Sequence, residues 1–307
     1  MSLDADQLIY RQRLKRRLTF WRIAAVLLLL MVLLVSVRPS GQFGSVALGR
    51  HIERYRISGV IGDGQKTVEA LEKLGKDSSV AAVVLRLDTP GGQVTGGEAI
   101  HDAVEALAAK KPVVAVMDGL AASAGYMIAV ATPHIVAHDS TITGSIGVIM
   151  ETTNLGGLFD KLGVSMEPLV SGPLKGQPSI DRPMTPQARE VLQAMVGDLY
   201  DQFVGLVAKG RHMDAGRVRQ LADGRAYTGR QALPLGLVDE IGGEPQALHW
   251  LQTERHVPAD LTVEEPDRRP WRQRMLVESF SDIVFSDEQA LRVDGAWALW
   301  QPSVPRE

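Results

Sequence analysis

VVAVMDGLAASAGYMIAVA, residues 113–131, decides how this chain is read. Residues 113–117 are apolar and mostly β-branched, the composition of a buried strand. The small residues at 119–122 predict a turn, after which Ser123 opens a second apolar segment of helical length. A serine at that junction crowns a helix N-terminus, and its small neighbours leave the hydroxyl reachable. The Ala124 N–H then points outward as an unpaired first-turn donor, suited to a developing oxyanion. Taken alone, Ser123 is better explained as a plain N-cap. Other segments have to give it a chemical role.

Upstream, a strand at 80–87 runs directly into DTPGG, residues 88–92. A glycine-rich turn after a strand invites a phosphate-binding reading, but the chain has neither GxxxxGK[ST] nor GxGxxG. The alternative is that Gly91 and Gly92 let the backbone approach a bound carbonyl and supply a second N–H beside that of Ala124. Residues 55–61 read as a strand and 67–74 as a helix. Over 97–110, Ile100, Val104 and Leu107 share one face of an amphipathic helix. Strand, glycine turn and helix in alternation predict a mostly parallel α/β domain.

Downstream, 134–137 reads as a short strand, and Ser145 sits in a glycine-flanked turn within TITGSIGVIM, residues 141–150. A helix is expected at 154–162 and a strand at 165–170. A polar loop with four prolines follows, carrying Lys175 in SGPLKG, residues 171–176. Thr185 as N-cap and Pro186 as first helical residue start a helix with Val191, Met195, Leu199 and Phe203 on its apolar face. Residues 232–236 should end a helix and 237–241 form a final strand. Four of the five tryptophans, Trp250, Trp271, Trp297 and Trp300, fall in 246–307 beside an apolar run at 275–285, suiting an interface or packing against the core.

At the N-terminus, RQRLKRR (residues 11–17) precedes a segment at 18–37 that is apolar except for Thr19, Arg22 and Ser36. Roughly 20 helical residues cross a bilayer. The basic flank places residues 1–17 in the cytoplasm and the rest of the chain outside it. A cleaved signal peptide is the competing reading, and residues 38–55 serve as a tether. The 307 residues suit one large or two modest domains, and a net charge of −3 marks no nucleic-acid binder. With no cysteine, thiolate chemistry and cysteine-bound zinc are excluded. The seven histidines show no metal-ligand spacing, so neither metal nor cofactor is expected.

The ordered motifs LRLDTPGG, DGLAASAGYMIA, TGSIGVI, SGPLKG with RPMTPQAREVLQAMV behind it, and GRAYTGRQALPLGLVDEIGG resemble the short bacterial form of signal peptide peptidase A over about residues 56–243. The resemblance implies an α/β domain over 56–245 of Clp/crotonase type, with repeated ββα units and assembly into a homo-oligomeric ring. It also implies a Ser-Lys dyad of Ser123 as nucleophile and Lys175 as general base, an oxyanion hole of Gly92 and Ala124 supported by Gly91, and Ser145 holding the lysine. This chain carries one copy of each motif, so self-association is expected to complete what duplicated members of the family build internally, with Lys175 serving Ser123 either of its own copy or of a neighbouring one.

An ammonium ion cannot accept a proton, so Lys175 has to be uncharged when it acts. Burial away from carboxylates achieves this, and residues 171–180 contain no Asp or Glu. A Ser-His-Asp triad through His134 or His138 is the rival, but no GxSxG surrounds the serine. The expected activity is membrane-anchored degradation of hydrophobic peptides such as cleaved signal peptides, in a bacterial cytoplasmic membrane with the catalytic domain outside. The alternatives are a related Ser-Lys peptidase acting on membrane-protein fragments, a non-catalytic scaffold on the same fold, and acyl-CoA chemistry, which an external location disfavours.

Overall fold

The structure is a computed structural model that describes residues 21–22 and 49–265. The first half alternates strand and helix: His51–Ser58 (β1), Gln65–Lys76 (α1), Val80–Thr89 (β2), Val94–Ala108 (α2), Val113–Ala122 (β3) and Ala124–Ala129 (α3). Two short strands, Ile135–Ala137 (β4) and Ile142–Gly144 (β5), precede Gly156–Leu162 (α4) and the long helix Pro186–Gly210 (α5). Ala215–Leu221 (α6), Ala226–Thr228 (β6), Gly229–Ala232 (α7), Glu240–Ile241 (β7), Glu244–Arg255 (α8) and Val263–Glu264 (β8) complete the described elements.

The sheet runs β6-β5-β3-β2-β1-β8, and it forks at β3. The first half of β3 pairs with β4 (Ala115 opposite Ile135) and the second half with β5 (Ala122 opposite Gly144), both parallel. Residues 119–122, expected to turn, therefore continue the strand, because β5 offers them a ladder. Among the described residues only the β5–β6 pairing is antiparallel. A mixed α/β sheet is thus what the alternating pattern builds.

The central strand β2 is buried from 80 to 85 on both faces, as a parallel strand covered on each side must be. Val83, Leu85 and Leu87 pack with Val104, Leu107 and Ile128 beneath α2 and α3, joined by Phe203, Val204 and Val207 of α5. Ala82 and Val84 face the other way, with Val114, Val116 and Val136, under Ala247 and Leu251 of α8.

Four expectations need correction. First, β1 begins at His51, inside the expected tether, since His51 already donates its N–H to the Ser79 carbonyl at 2.9 Å. Second, the compact unit extends past 245 to Glu264, because α8 covers one face of the sheet and β8 adds an edge strand beside β1. Trp250 belongs to that layer, stacked on His134 at 4.7 Å. Third, residues 165–170 form no strand: they find no sheet edge, and Leu169 is 97% exposed. Fourth, the expected apolar face of α5 is not buried throughout: Phe203 is 1% exposed, whereas Val191 and Met195 are 44% and 50% exposed. The 18–37 segment, apart from Trp21 and Arg22, lies outside the described residues, as do 1–17, 275–285, Trp271, Trp297 and Trp300. Among the described residues no helix is long and apolar enough to cross a membrane.

Phe203→Ala should cost about 3–5 kcal/mol through the cavity it leaves, whereas Met195→Ala should stay within about 0.5 kcal/mol for the isolated subunit fold. Urea unfolding midpoints of the two variants measure the difference.

Candidate active site

Ser123 occupies the single residue between β3 and α3, with φ 55° and ψ −123°. A non-glycine residue pays about 1–3 kcal/mol to stay in such a conformation. The surroundings hold it there. All six residues of α3 are buried, the Ser123 carbonyl accepts from Met127 N–H, and the Ser123 N–H donates to the Gly144 carbonyl at 2.9 Å. A sharp strand-to-helix turn of this kind presents the hydroxyl at the end of the sheet.

Because β3 and β5 run parallel and end together at Ala122 and Gly144, the next residues, Ser123 and Ser145, emerge side by side. Strand spacing puts their backbones roughly 5 Å apart. Ser145 also has a positive φ of 48°, and its N–H is fixed to the Arg225 carbonyl at 2.9 Å.

The DTPGG turn packs directly on this junction. A Cβ placed on Gly91 would lie 2.8 Å from the Ser123 Cβ and 2.9 Å from the Ala124 nitrogen, so only glycine fits. A Cβ on Gly92 would lie 2.1 Å from the Ile61 carbonyl oxygen. Thr89, fully buried, pins the turn: its hydroxyl donates to the Gly59 carbonyl at 2.6 Å and accepts from Gly91 N–H at 3.1 Å. The bridge to Ile61 uses the Gly91 carbonyl and the Gln93 N–H, passing over the Gly92 N–H. The Ala124 N–H, at the first position of α3, likewise has no backbone acceptor among the described residues.

Ser123, Ser145 and Gly92 open on one cavity of about 580 Å³. Val94, Val148, Ile149, Val196 and Tyr200 give it an apolar wall. Asp223 is the one carboxylate among the described lining residues. Hydrogen bonds from the Arg225 side chain, helped by the Arg225 backbone N–H, hold its carboxyl below the usual range. The site is therefore lined by uncharged groups and one neutralised acid, which suits an apolar ligand with a polar backbone.

Five of the residues singled out in the sequence thus gather here: Gly91, Gly92, Ser123, Ala124 and Ser145. Lys175 does not join them within one copy. It is exposed on the turn at 172–176, with its N–H bonded to the Gly172 carbonyl at 3.0 Å, and it does not line the cavity. The two rival histidines also lie elsewhere. His134 stacks on Trp250 with its Nε2 3.3 Å from Glu240, and His138 borders a separate polar pocket with Arg86 and Asp118. Sequence reasoning missed Thr89 as the pin of the glycine turn. It also missed Gln193, Val196 and Tyr200, whose i, i+3, i+7 spacing was the available signal for a second stripe on α5.

Residues 105–258 match peptidase family S49, and residues 61–137 match the Clp protease family. A relative from Synechocystis, named "Putative protease slr0021", is 40% identical over 71% of this chain and 80% of its own length. An Enterococcus faecium relative, "Putative signal peptide peptidase SppA", is 40% identical over 66% of this chain and 58% of its own. "Serine protease SPPA, chloroplastic" of Arabidopsis thaliana is 31% identical over 65% of this chain, which spans 30% of that longer protein. With the strained serine junction inside the matched segment, this chain belongs to peptidase family S49.

Proposed function

We propose that this protein is a serine endopeptidase held in a bacterial cytoplasmic membrane by residues 18–37, with its catalytic domain on the outer side. Its substrates are short hydrophobic peptides such as signal peptides left after secretion. The observation that carries the reading is the Ser123 junction, where a strained serine lines a cavity with an apolar wall beside the Gly92 and Ala124 N–H groups, neither of which has a backbone acceptor among the described residues. The basic flank at 11–17 supports the membrane orientation, and the names of the relatives support the peptidase activity.

In this mechanism the Ser123 Oγ attacks the scissile carbonyl carbon while its proton passes to the neutral amine of Lys175. The oxyanion accepts hydrogen bonds from the Gly92 and Ala124 N–H groups. Donors aimed where charge develops lower the barrier by about 2.7–4 kcal/mol each. Lys175 then returns its proton to the departing amine, leaving an acyl-enzyme on Ser123, and water repeats the sequence to release the acid. The Ser145 hydroxyl aligns the lysine without adding a charge beside it.

Lys175 is supplied by a neighbouring copy in a ring. Supporting this, the arm that carries it exposes Leu158, Leu162, Met166 and Leu169, and the outer half of α5 exposes Val191 and Met195. So much apolar surface on one arm is the pattern of a surface that another molecule covers.

Ser123→Ala and Lys175→Ala should each abolish peptide turnover, and Ser123→Ala should also abolish labelling by a fluorophosphonate. His134→Ala and His138→Ala should keep both, and the reverse pattern would replace the dyad with a triad. Gly92→Ala should lower kcat/KM by roughly 10²-fold or more, since its Cβ forces the oxyanion donor away from its place; unchanged turnover would remove Gly92 from the oxyanion hole.

A further inference from the structure

At the end of the sheet opposite Ser123, the starts of β3 and β4 meet the last turns of α2, α3 and α5 around a second cavity of about 570 Å³. Its floor is small and apolar, with Ala108, Val130 and Ala131. Its rim carries Lys110, Lys111, Lys209, His212 and Arg255 against one carboxylate, Glu105. That carboxylate is already neutralised by an ion pair with Lys209. Asp77, the acid beside Lys111, accepts from both the N–H and the hydroxyl of Ser79 at 2.9 and 2.6 Å.

Helix C-termini attract cations, and part of this charge is explained that way. The Lys111 ammonium donates to the Asp77 and Val80 carbonyls. Lys110 and His212 have no ionic partner among the described residues, and Arg255 lies over the Trp250 ring, 4.9 Å from its centre. Arg50 adds a further positive charge close to Lys111. An apolar floor under a cationic rim matches a molecule that is anionic at one end and apolar at the other.

The route of the chain says which such molecule is near. His51 opens β1 with its N–H on the Ser79 carbonyl, next to the Lys111 side of the cavity. Residues 38–48 are all that separate the apolar 18–37 segment from residue 49, and extended they reach at most about 40 Å. On the reading that 18–37 crosses a bilayer, this end of the domain faces the lipid. We infer that the cavity takes the phosphate headgroup of an anionic phospholipid, with Lys110 and Arg255 as its principal cations, seating the domain on the membrane away from its active site. Each such basic group contributes roughly fivefold to binding at an anionic surface.

The test is calorimetric titration of the full chain, kept in a nonionic detergent, with dihexanoylphosphatidylglycerol below its micelle concentration. Saturable binding is expected, weakened at least about tenfold by Lys110→Glu with Arg255→Glu, retained in Lys110→Arg, and lost in high salt. Fluorophosphonate labelling of Ser123 in the double variant should equal that of the native chain, which shows the fold intact. Equal binding of dihexanoylphosphatidylcholine, or a double variant that binds as the native chain does, overturns the inference. So does inorganic phosphate that competes at the same concentration, because the cavity is then a site for a free anion. Carbonate extraction of membranes reads the anchor separately. A chain that stays in the pellet yet binds no phosphatidylglycerol overturns the headgroup site alone, whereas release of the chain overturns the anchor and the seating with it.

Discussion

The contact between Gly91 and Ser123 is the constraint on which the rest of this structure depends. With less than 3 Å available for a Cβ on Gly91, two strand ends are pressed together more tightly than side chains allow. That closeness brings the glycine turn directly against Ser123 and the Ala124 nitrogen. The same theme recurs around the contact: a Cβ on Gly125 would meet Thr89 at 2.6 Å, and one on Gly97 would meet Ala124 at 2.8 Å. Gly97 and Gly125 are required by approach distance alone, whereas at Gly91 a φ of 99° adds its own demand for glycine.

A serine held at φ 55° needs a rigid frame, and the fork in the sheet provides it. β3 carries β4 on its first half and β5 on its second, so the residues leading into Ser123 are locked by ladder bonds to the last one. α3 is too short to be stable by itself, but every one of its side chains is buried. Its Tyr126 hydroxyl donates to the Leu237 carbonyl at 2.8 Å, tying it to the far part of the chain. The strain is thus absorbed by packing on three sides, and the hydroxyl stays at the cavity wall.

Much of this was legible in the amino-acid order because local pattern and global fold agree. The Thr185–Pro186 helix start is realised, with the Thr185 hydroxyl accepting from Ala188 N–H at 3.2 Å. The Ser123 segment and the glycine turn could be placed at the ends of strands because β-branched runs precede both. What failed did so for reasons of context. Residues 119–122 look like a turn by composition, yet they become strand when β5 pairs with them. Residues 165–170 have strand composition but no edge to join. The apolar stripe at Val191 and Met195 reads as core by period, although one subunit leaves it exposed. Period reports that a face will be covered, and it is silent on which molecule does the covering. Lys175 lies outside the cavity that holds Ser123, on an arm whose apolar side chains Leu158, Leu162, Met166 and Leu169 are exposed.

The most direct measurement of the central claim is co-expression of two inactive chains, one carrying Ser123→Ala and the other Lys175→Ala. If the lysine comes from the adjoining copy in a ring, random mixing puts an intact serine against an intact lysine at about a quarter of the sites, and peptide turnover returns to that fraction of the native value. Mixed assemblies that form normally but stay inactive would contradict the account.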